Sequence, residues 1–177
     1  NLAFNGGTIS QGASAVSVSG TAALNAGTGA ITLTNAANNF ATVQATSSAT
    51  VSLADANDIA LGASSVGNLN VSAAGNITTS GAVATTTTAT LTSSAAGAIS
   101  YATGSSAGTI NAFANNGTVS IDTVGNVTIG AVTAGGALKS IVVTAGGNYS
   151  ASSPTNIVRY LLPRVRPNWT LRGTYAF

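Results

Sequence analysis

Side chains that enzymes commonly use for catalysis are nearly missing from this sequence. Of its 177 residues, five are basic and three are acidic, and it contains no Glu, His, Cys or Met. The three carboxylates are Asp55, Asp58 and Asp122. Hydrolytic, redox and metal chemistry are built from clusters of carboxylate, imidazole or thiol groups. The composition therefore predicts a protein that is not an enzyme and holds no metal ion or cofactor.

Asp55 and Asp58 are close enough in sequence to suggest a carboxylate pair or a calcium site. Calcium takes about six to eight oxygen ligands, usually with several carboxylates among them. The aligned positions in the second half of the chain are Thr123 and Asn126, so the pair does not recur. Asp122 is displaced by more than three repeats, beyond the separation of about 10 Å that glycosidase carboxylates need. We therefore expect Asp55 and Asp58 to be solvated turn residues.

Other polar patterns favour structural roles. Residues 85–92 have Thr at alternate positions, as in the flat hydroxyl arrays of ice-binding solenoids, but the pattern is strong in one repeat only, which favours an ordinary exposed strand. The six Asn-x-Ser/Thr sequons are about as many as this composition gives by chance. Asn side chains in Gly-Asn-apolar turns can hydrogen-bond from one coil to the next. Such a ladder is predicted for Asn68, Asn76, Asn126 and Asn148.

The elements that position these residues come from an internal repeat. Segments 29–34, 49–54 and 58–63 recur at 97–102, 117–122 and 126–131, all at an offset of 68. Segment 69–78 recurs at 141–150 with an offset of 72. These matches predict an internal duplication over about 29–80 and 97–150.

A finer period of about 19 residues runs through both copies, as expected when each coil of a repeat architecture reuses the same inward positions. Apolar pairs separated by one small polar residue, such as Ile31/Leu33 and Val51/Leu53, recur at this interval with Gly- and Asn-rich turns between them. Each pair is typical of a short strand with alternate side chains facing inward. A β-sandwich is the alternative for short strands, and disorder is the alternative for a chain rich in Gly, Ser and Thr. The regular interval favours an all-β solenoid of about eight coils, with strands pairing in parallel.

Charge and composition divide the chain at about residue 150. All three acids precede residue 139, whereas the five basic residues begin at Lys139, so the basic character belongs to the tail and does not indicate nucleic-acid binding. No apolar run reaches the roughly 18 residues of a spanning helix, which predicts no membrane span. We predict a solenoid over 1–150 and a separate basic, aromatic tail over 151–177.

The end of the tail alternates like a strand. It could cap its own solenoid, dock on a neighbouring subunit, or be a relic or export signal similar to the closing strand of an outer-membrane barrel. The residues predicted to form the capping or intersubunit strand are Tyr160, Arg164, Arg166, Trp169, Leu171, Arg172, Tyr175 and Phe177.

Segments 26–43, 51–64 and 67–83 resemble the haemagglutinin-type repeats of large secreted bacterial adhesins, the filamentous haemagglutinin-like proteins and autotransporter passengers. The resemblance covers about residues 20–150 and implies a right-handed parallel β-helix. It also implies export to the bacterial surface and a role in attachment, biofilm or matrix, with no catalytic residues to carry over.

Together these features predict a non-enzymatic, secreted structural protein that associates end to end with copies of itself in an extracellular fibre or surface matrix. The alternative is an adhesin passenger fragment that binds a surface glycan. An adhesin should show a cluster of aromatic side chains, whereas Phe4, Phe40, Tyr101 and Phe113 are scattered through the sequence.

Overall fold

A computed structural model describes residues 1–135 and 140–151, and the described chain consists of strands and turns without a helix. None of these residues forms a helix that could cross a membrane. The fourteen strands are β1 (Leu2–Asn5), β2 (Ile9–Ser10), β3 (Ser17–Gly27), β4 (Ile31–Leu33), β5 (Asn39–Asp55), β6 (Ile59–Leu61), β7 (Ser64–Ala73), β8 (Ile77–Thr79), β9 (Val83–Ser93), β10 (Ile99–Ala114), β11 (Val119–Thr123), β12 (Val127–Ala134), β13 (Ile141–Ala145) and β14 (Tyr149–Ala151).

Every strand pairs in parallel with a strand one turn earlier or later, which confirms the predicted β-solenoid. The number of residues per coil, measured between paired positions in successive coils, varies along the solenoid. It is shortest at steps such as Ile59 to Ile77 and longest at steps such as Ile9 to Ile31. The described part makes about seven turns, which is consistent with the predicted solenoid of about eight coils, and the coil length varies because the corners differ in length.

The core consists of inward side chains stacked in columns along the solenoid axis. Two such columns, at different positions around the coil, contain only aliphatic residues. Because paired strands lie about 4.8 Å apart, each side chain contacts its equivalents above and below. The first column is Ile9, Ile31, Val51, Leu69, Ala89, Ile110 and Ile129. The second is Ile59, Ile77, Ile99, Val119 and Ile141.

Glycine is required at one corner because successive turns approach each other closely there. A Cβ atom on Gly97 would lie 2.0 Å from the carbonyl oxygen of Gly75, and one on Gly117 would lie 2.0 Å from that of Gly97. Any larger side chain would therefore force the stacked backbones apart. The sequence signal for this corner is the Gly that stands two residues before Ile99 and before Val119.

Candidate interaction surfaces

Asp55 and Asp58 occupy the same corner but have different environments. Asp55 is only 5% exposed, so the expectation of a solvated residue is wrong for this side chain. Its two carboxylate oxygens accept hydrogen bonds from the backbone N–H groups of Phe40, at 2.7 Å, and Asn57, at 2.9 Å. Burial is tolerated because the N–H groups replace water as donors. Asp55 therefore ties the end of β5 back to its beginning.

Asp58 is exposed and accepts hydrogen bonds from the Asn76 backbone N–H, at 2.7 Å, and side-chain amide, at 3.1 Å. Asp122 is also exposed and lies on β11, three coil steps along the stack from β6, the strand that follows Asp58. Three steps span about 14 Å, too far for paired carboxylate chemistry. Among residues 1–135 and 140–151, no three potential metal-ligating side chains come together.

Three of the four predicted turn asparagines, Asn76, Asn126 and Asn148, lie in turns between strands, whereas the turn prediction is wrong for Asn68, which lies within β7. The side-chain oxygen of Asn76 accepts a hydrogen bond from the Ala98 backbone N–H at 2.7 Å, and that of Asn126 accepts one from the Asn148 backbone N–H at 2.8 Å. The Asn68 oxygen accepts a hydrogen bond from the Thr87 hydroxyl. Each of these bonds joins a coil to its neighbour.

Tyr101 is a buried polar residue whose role sequence reasoning missed. Its phenol lies 2.9 Å from the carbonyl oxygens of Val83 and Ser106, to which it donates, and 3.2 Å from the Thr85 hydroxyl. Burial raises the pKa of Tyr101 to about 12, and the Thr85 hydroxyl acts in the opposite direction. The sequence does contain a signal for this role, because a Tyr occupies a column position that aliphatic residues commonly fill. Thr85 therefore faces inward, rather than contributing to an exposed hydroxyl array.

A second pair of hydrogen-bonded polar side chains, Gln11 and Asn38, lies near the start of the solenoid. The side-chain amides of Gln11 and Asn38 exchange hydrogen bonds of 2.9 Å and 2.8 Å, and the Asn38 oxygen also accepts one from the Val16 backbone N–H. Asn38 is fully buried, so these bonds satisfy an amide that would otherwise be costly to bury. The pair fixes the corner between β2 and β3.

One lateral face of the described solenoid carries a column of uncharged polar side chains. Two amides interrupt its hydroxyls, and the Asn111 amide donates to the Thr90 hydroxyl at 3.4 Å. The face consequently lacks the uninterrupted hydroxyl array of an ice-binding surface. Its central column contains Thr32, Ser52, Asn70, Thr90 and Asn111.

The β1 end of the solenoid exposes apolar core positions. Leu2 and Phe4 lie in register with Ala22 and Leu24, which are buried core residues, yet Phe4 is 53% exposed. Among the described residues, β1 pairs only with β3, so its other edge is free of backbone partners. A groove of about 320 Å³ beside this end is lined by Phe4, Asn5, Asn25, Gln44 and Thr46, together with small side chains.

The opposite end of the described solenoid presents β13 and β14. Within the described ranges, β13 pairs only with β11 and β14 only with β12. The inward side chains of β13 are Ile141, Val143 and Ala145, followed by Gly146 and Gly147. The strand residues predicted in the tail, from Tyr160 to Phe177, lie outside the described residues, and their role stays a prediction.

A family model described as repeats of unknown function (DUF5649) matches residues 1–47 and 48–114. The chain belongs to this family. No curated protein matches the chain, and no solved structure matches it. The DUF5649 match thus assigns the repeats without assigning an activity.

The second DUF5649 match, over 48–114, is nearly equal in length to the offset that relates segment 29–34 to segment 97–102. Segments related by that offset lie in different core columns. Ile31 is in the first column, whereas Ile99, its equivalent at that offset, is in the second, midway between Ala89 and Ile110 of the first. The offset therefore corresponds to about three and a half turns. Each turn consists of two similar halves that bury equivalent apolar pairs.

Proposed function

We propose that this protein is a non-enzymatic structural subunit that associates end to end in an extracellular fibre or surface matrix of a bacterium. The resemblance to haemagglutinin-type passengers supports the secreted location, and membership in a repeat family with a parallel solenoid is compatible with it. The proposal depends on shape rather than on a reactive site.

The observation that carries the proposal is the parallel stacking of the described coils, in which each coil presents its strand edges to the next. Leu2 and Phe4 continue buried columns of the core but have no coil covering them among the described residues. An unpaired strand edge next to exposed apolar side chains is a template for pairing with another chain. Soluble proteins commonly protect such edges with charges or proline, and β1, with the sequence LAFN, contains neither.

The test is sedimentation velocity and negative-stain electron microscopy of the full chain over a range of concentrations. Linear assemblies should form and grow with concentration. Phe4→Lys should shift the distribution towards monomers, because the substitution places a charge in the contact. Phe113→Lys is the matched control, since Phe113 is a partly exposed aromatic residue on the lateral sheet rather than at an end. Monomers at every concentration would refute the proposal.

The groove beside β1 favours a second candidate, recognition of a neutral surface glycan. It is lined by Phe4 and by Asn25 and Gln44, whose side-chain amides are suited to hydrogen-bonding the hydroxyls of a sugar. Affinity electrophoresis through neutral polysaccharide gels should show retardation that Gln44→Ala reduces. Asn70→Ala on the lateral face should leave the retardation unchanged, and equal migration of all three proteins would eliminate this candidate.

A further inference from the structure

We propose that the lateral face described above binds the same face of a second copy, so that two solenoids pack side by side. The face has the polar column as its middle column, and one further outward column lies on each side of it. These three columns together are named the polar grid. The inference goes beyond the proposed function, because it concerns the sides of the solenoid and is independent of how its ends are joined.

The polar grid is built by the strands that also form the first core column. Its side chains alternate with the buried ones along each strand, and all of them are partly or fully exposed. Neighbours are about 4.8 Å apart along the axis and about 6.6 Å apart along a strand. The middle column is Thr32, Ser52, Asn70, Thr90 and Asn111, and the flanking columns are Thr50, Asn68, Thr88, Thr109 and Thr128 on one side and Ala54, Ser72, Thr92, Phe113 and Thr133 on the other.

The chemistry of the polar grid suits a second copy of itself. All of its positions except Ala54 and Phe113 are Ser, Thr or Asn, and none is charged. Two copies related by a two-fold axis present identical surfaces to each other, so the surface must be self-complementary. Hydroxyl and amide groups meet this requirement because each one both donates and accepts hydrogen bonds. A face carrying charges of one sign would instead repel its copy.

The polar groups of the grid are available to a partner. Among the described residues, the Asn70 amide has no hydrogen-bond partner, whereas the buried Asn38 amide has several. The exposed carboxylates of the described chain lie outside the grid, Asp58 in a turn and Asp122 on β11. A second copy would therefore meet hydrogen-bonding groups without meeting a charge.

The spacing of the polar grid is a second reason to choose this occupant. Two copies share the same spacing of about 4.8 Å between rows, so side chains that meet in one row also meet in the others. A partner without this repeat would fall out of step with the grid. Stacked sheets with identical faces, low charge and ladders of amide side chains pack in this way in steric zippers.

The size of the polar grid predicts a weak contact between single chains. Five rows and three columns cover roughly 24 Å by 20 Å, or about 500 Å² on each partner, which is less than the ~800 Å² per partner of a standard interface. One pair of chains should therefore dissociate readily. Several grids held in one assembly would strengthen the contact, because each further pairing is intramolecular.

Thiol cross-linking tests the contact, because the full chain has no cysteine of its own. Full-length Asn70→Cys and Thr90→Cys chains are mixed at high concentration and treated with a short bis-maleimide, because packed sheets lie about 10 Å apart, too far for a disulfide. These positions are neighbours near the middle of the grid, so they meet whether the two solenoids run in the same or in opposite directions. The matched control mixes Thr78→Cys with Ser100→Cys, neighbours of the same exposure on another side of the coil.

The expected result is a cross-linked dimer at least ~10-fold more abundant in the 70/90 mixture than in the 78/100 mixture, because a specific contact raises the effective thiol concentration. Adding Asn70→Lys to the Thr90→Cys chain should remove the excess, since it places like charges opposite each other, whereas adding Thr78→Lys should not. Equal yields in the two mixtures, or no dimer in either, would overturn the inference.

Sedimentation of the unmodified chain separates this inference from the proposed function. Linear assemblies without excess cross-linking at the polar grid would leave end-to-end association standing and overturn the side-by-side contact. Excess cross-linking without linear assemblies would do the reverse. Phe113→Lys, at the flank of the grid, should reduce cross-linking without shortening linear assemblies. In the polysaccharide gel, a retardation that Asn70→Ala removes would assign the grid to a glycan and overturn the inference.

Discussion

The phenol oxygen of Tyr101 lies 2.9 Å from the carbonyl oxygen of Val83, a residue one coil earlier that is itself fully buried. This bond places an ionisable group inside a column otherwise filled mainly by aliphatic and small side chains. Because the phenolate would have to remain in this interior, the fold favours the neutral form. The solenoid therefore contains an internal group that senses alkaline pH.

Alkaline unfolding should depend on Tyr101. Its pKa is raised to about 12 in the fold from 10.0, so its contribution is complete below pH 10 and is lost as the pH rises from 10 towards 12. Two pKa units correspond to about 3 kcal/mol at most. An absorbance titration should show one tyrosine that ionises late, and Tyr101→Phe should remove that step. Persistence of the late step in the variant would contradict the assignment.

Asp55→Ala should destabilise the solenoid. The substitution leaves the buried backbone N–H groups of Phe40 and Asn57 without their acceptor, at a cost of about 1–3 kcal/mol each. Asp122→Ala is the control, since an exposed carboxylate should change the free energy of unfolding by no more than about 0.5 kcal/mol. Urea denaturation followed by circular dichroism compares them, and equal midpoints would argue against a structural role for Asp55.

Gly97→Ala should be destabilising although it adds one methyl group. The new Cβ would lie 2.0 Å from the carbonyl oxygen of Gly75, which is a backbone atom and cannot rotate away. Overpacking of this kind costs about 1–3 kcal/mol. Gly125→Ala has no heavy atom within 4 Å of its new Cβ and should be neutral or stabilising by up to about 1 kcal/mol. Thermal unfolding of both variants tests this prediction. An unchanged melting temperature for Gly97→Ala would show that the backbone at this corner can move to accommodate the methyl group.

Asn76→Ala should weaken the stacking of three consecutive coils. Its side chain bonds Asp58 on one side and the Ala98 backbone on the other, so the substitution removes two links, worth about 1–2 kcal/mol together. Asn70→Ala, on the lateral face, should change stability by less than about 0.5 kcal/mol. Hydrogen exchange should localise the loss in the Asn76 variant to residues near Ala98. Equal protection of the Ala98 amide in both variants would refute the ladder.

The solenoid itself could be predicted from sequence because its main determinant is local. Pairs such as Ile31/Leu33 and Val51/Leu53 bury alternate side chains, and the structure stacks these two pairs directly in register. The length of each individual coil was less predictable, because corner lengths vary without changing the apolar pattern. A short step from Val51 to Leu69 and a long one from Ile9 to Ile31 still place inward positions over one another.

The interior polar groups could not be found in the same way. Asp55 and Thr85 have types that normally predict exposure, and both are buried because hydrogen bonds satisfy them. The bond from Asn57 to Asp55 is local, but Phe40 and Tyr101 lie 15 and 16 residues from their partners, with no motif to mark them. The exposure of Phe4 likewise depends on which coils cover it, and no described strand pairs with the outer edge of β1. Its residue type alone indicates a core position.

The offset of three and a half turns has a consequence for how a DUF5649 array displays its surface. A residue carried on the outside of one repeat reappears, in the next repeat, on a different side of the rod. Two repeats restore the original direction after seven turns, or roughly 34 Å along the axis. A motif encoded once per repeat would thus form two rows on different sides of the rod rather than a single row.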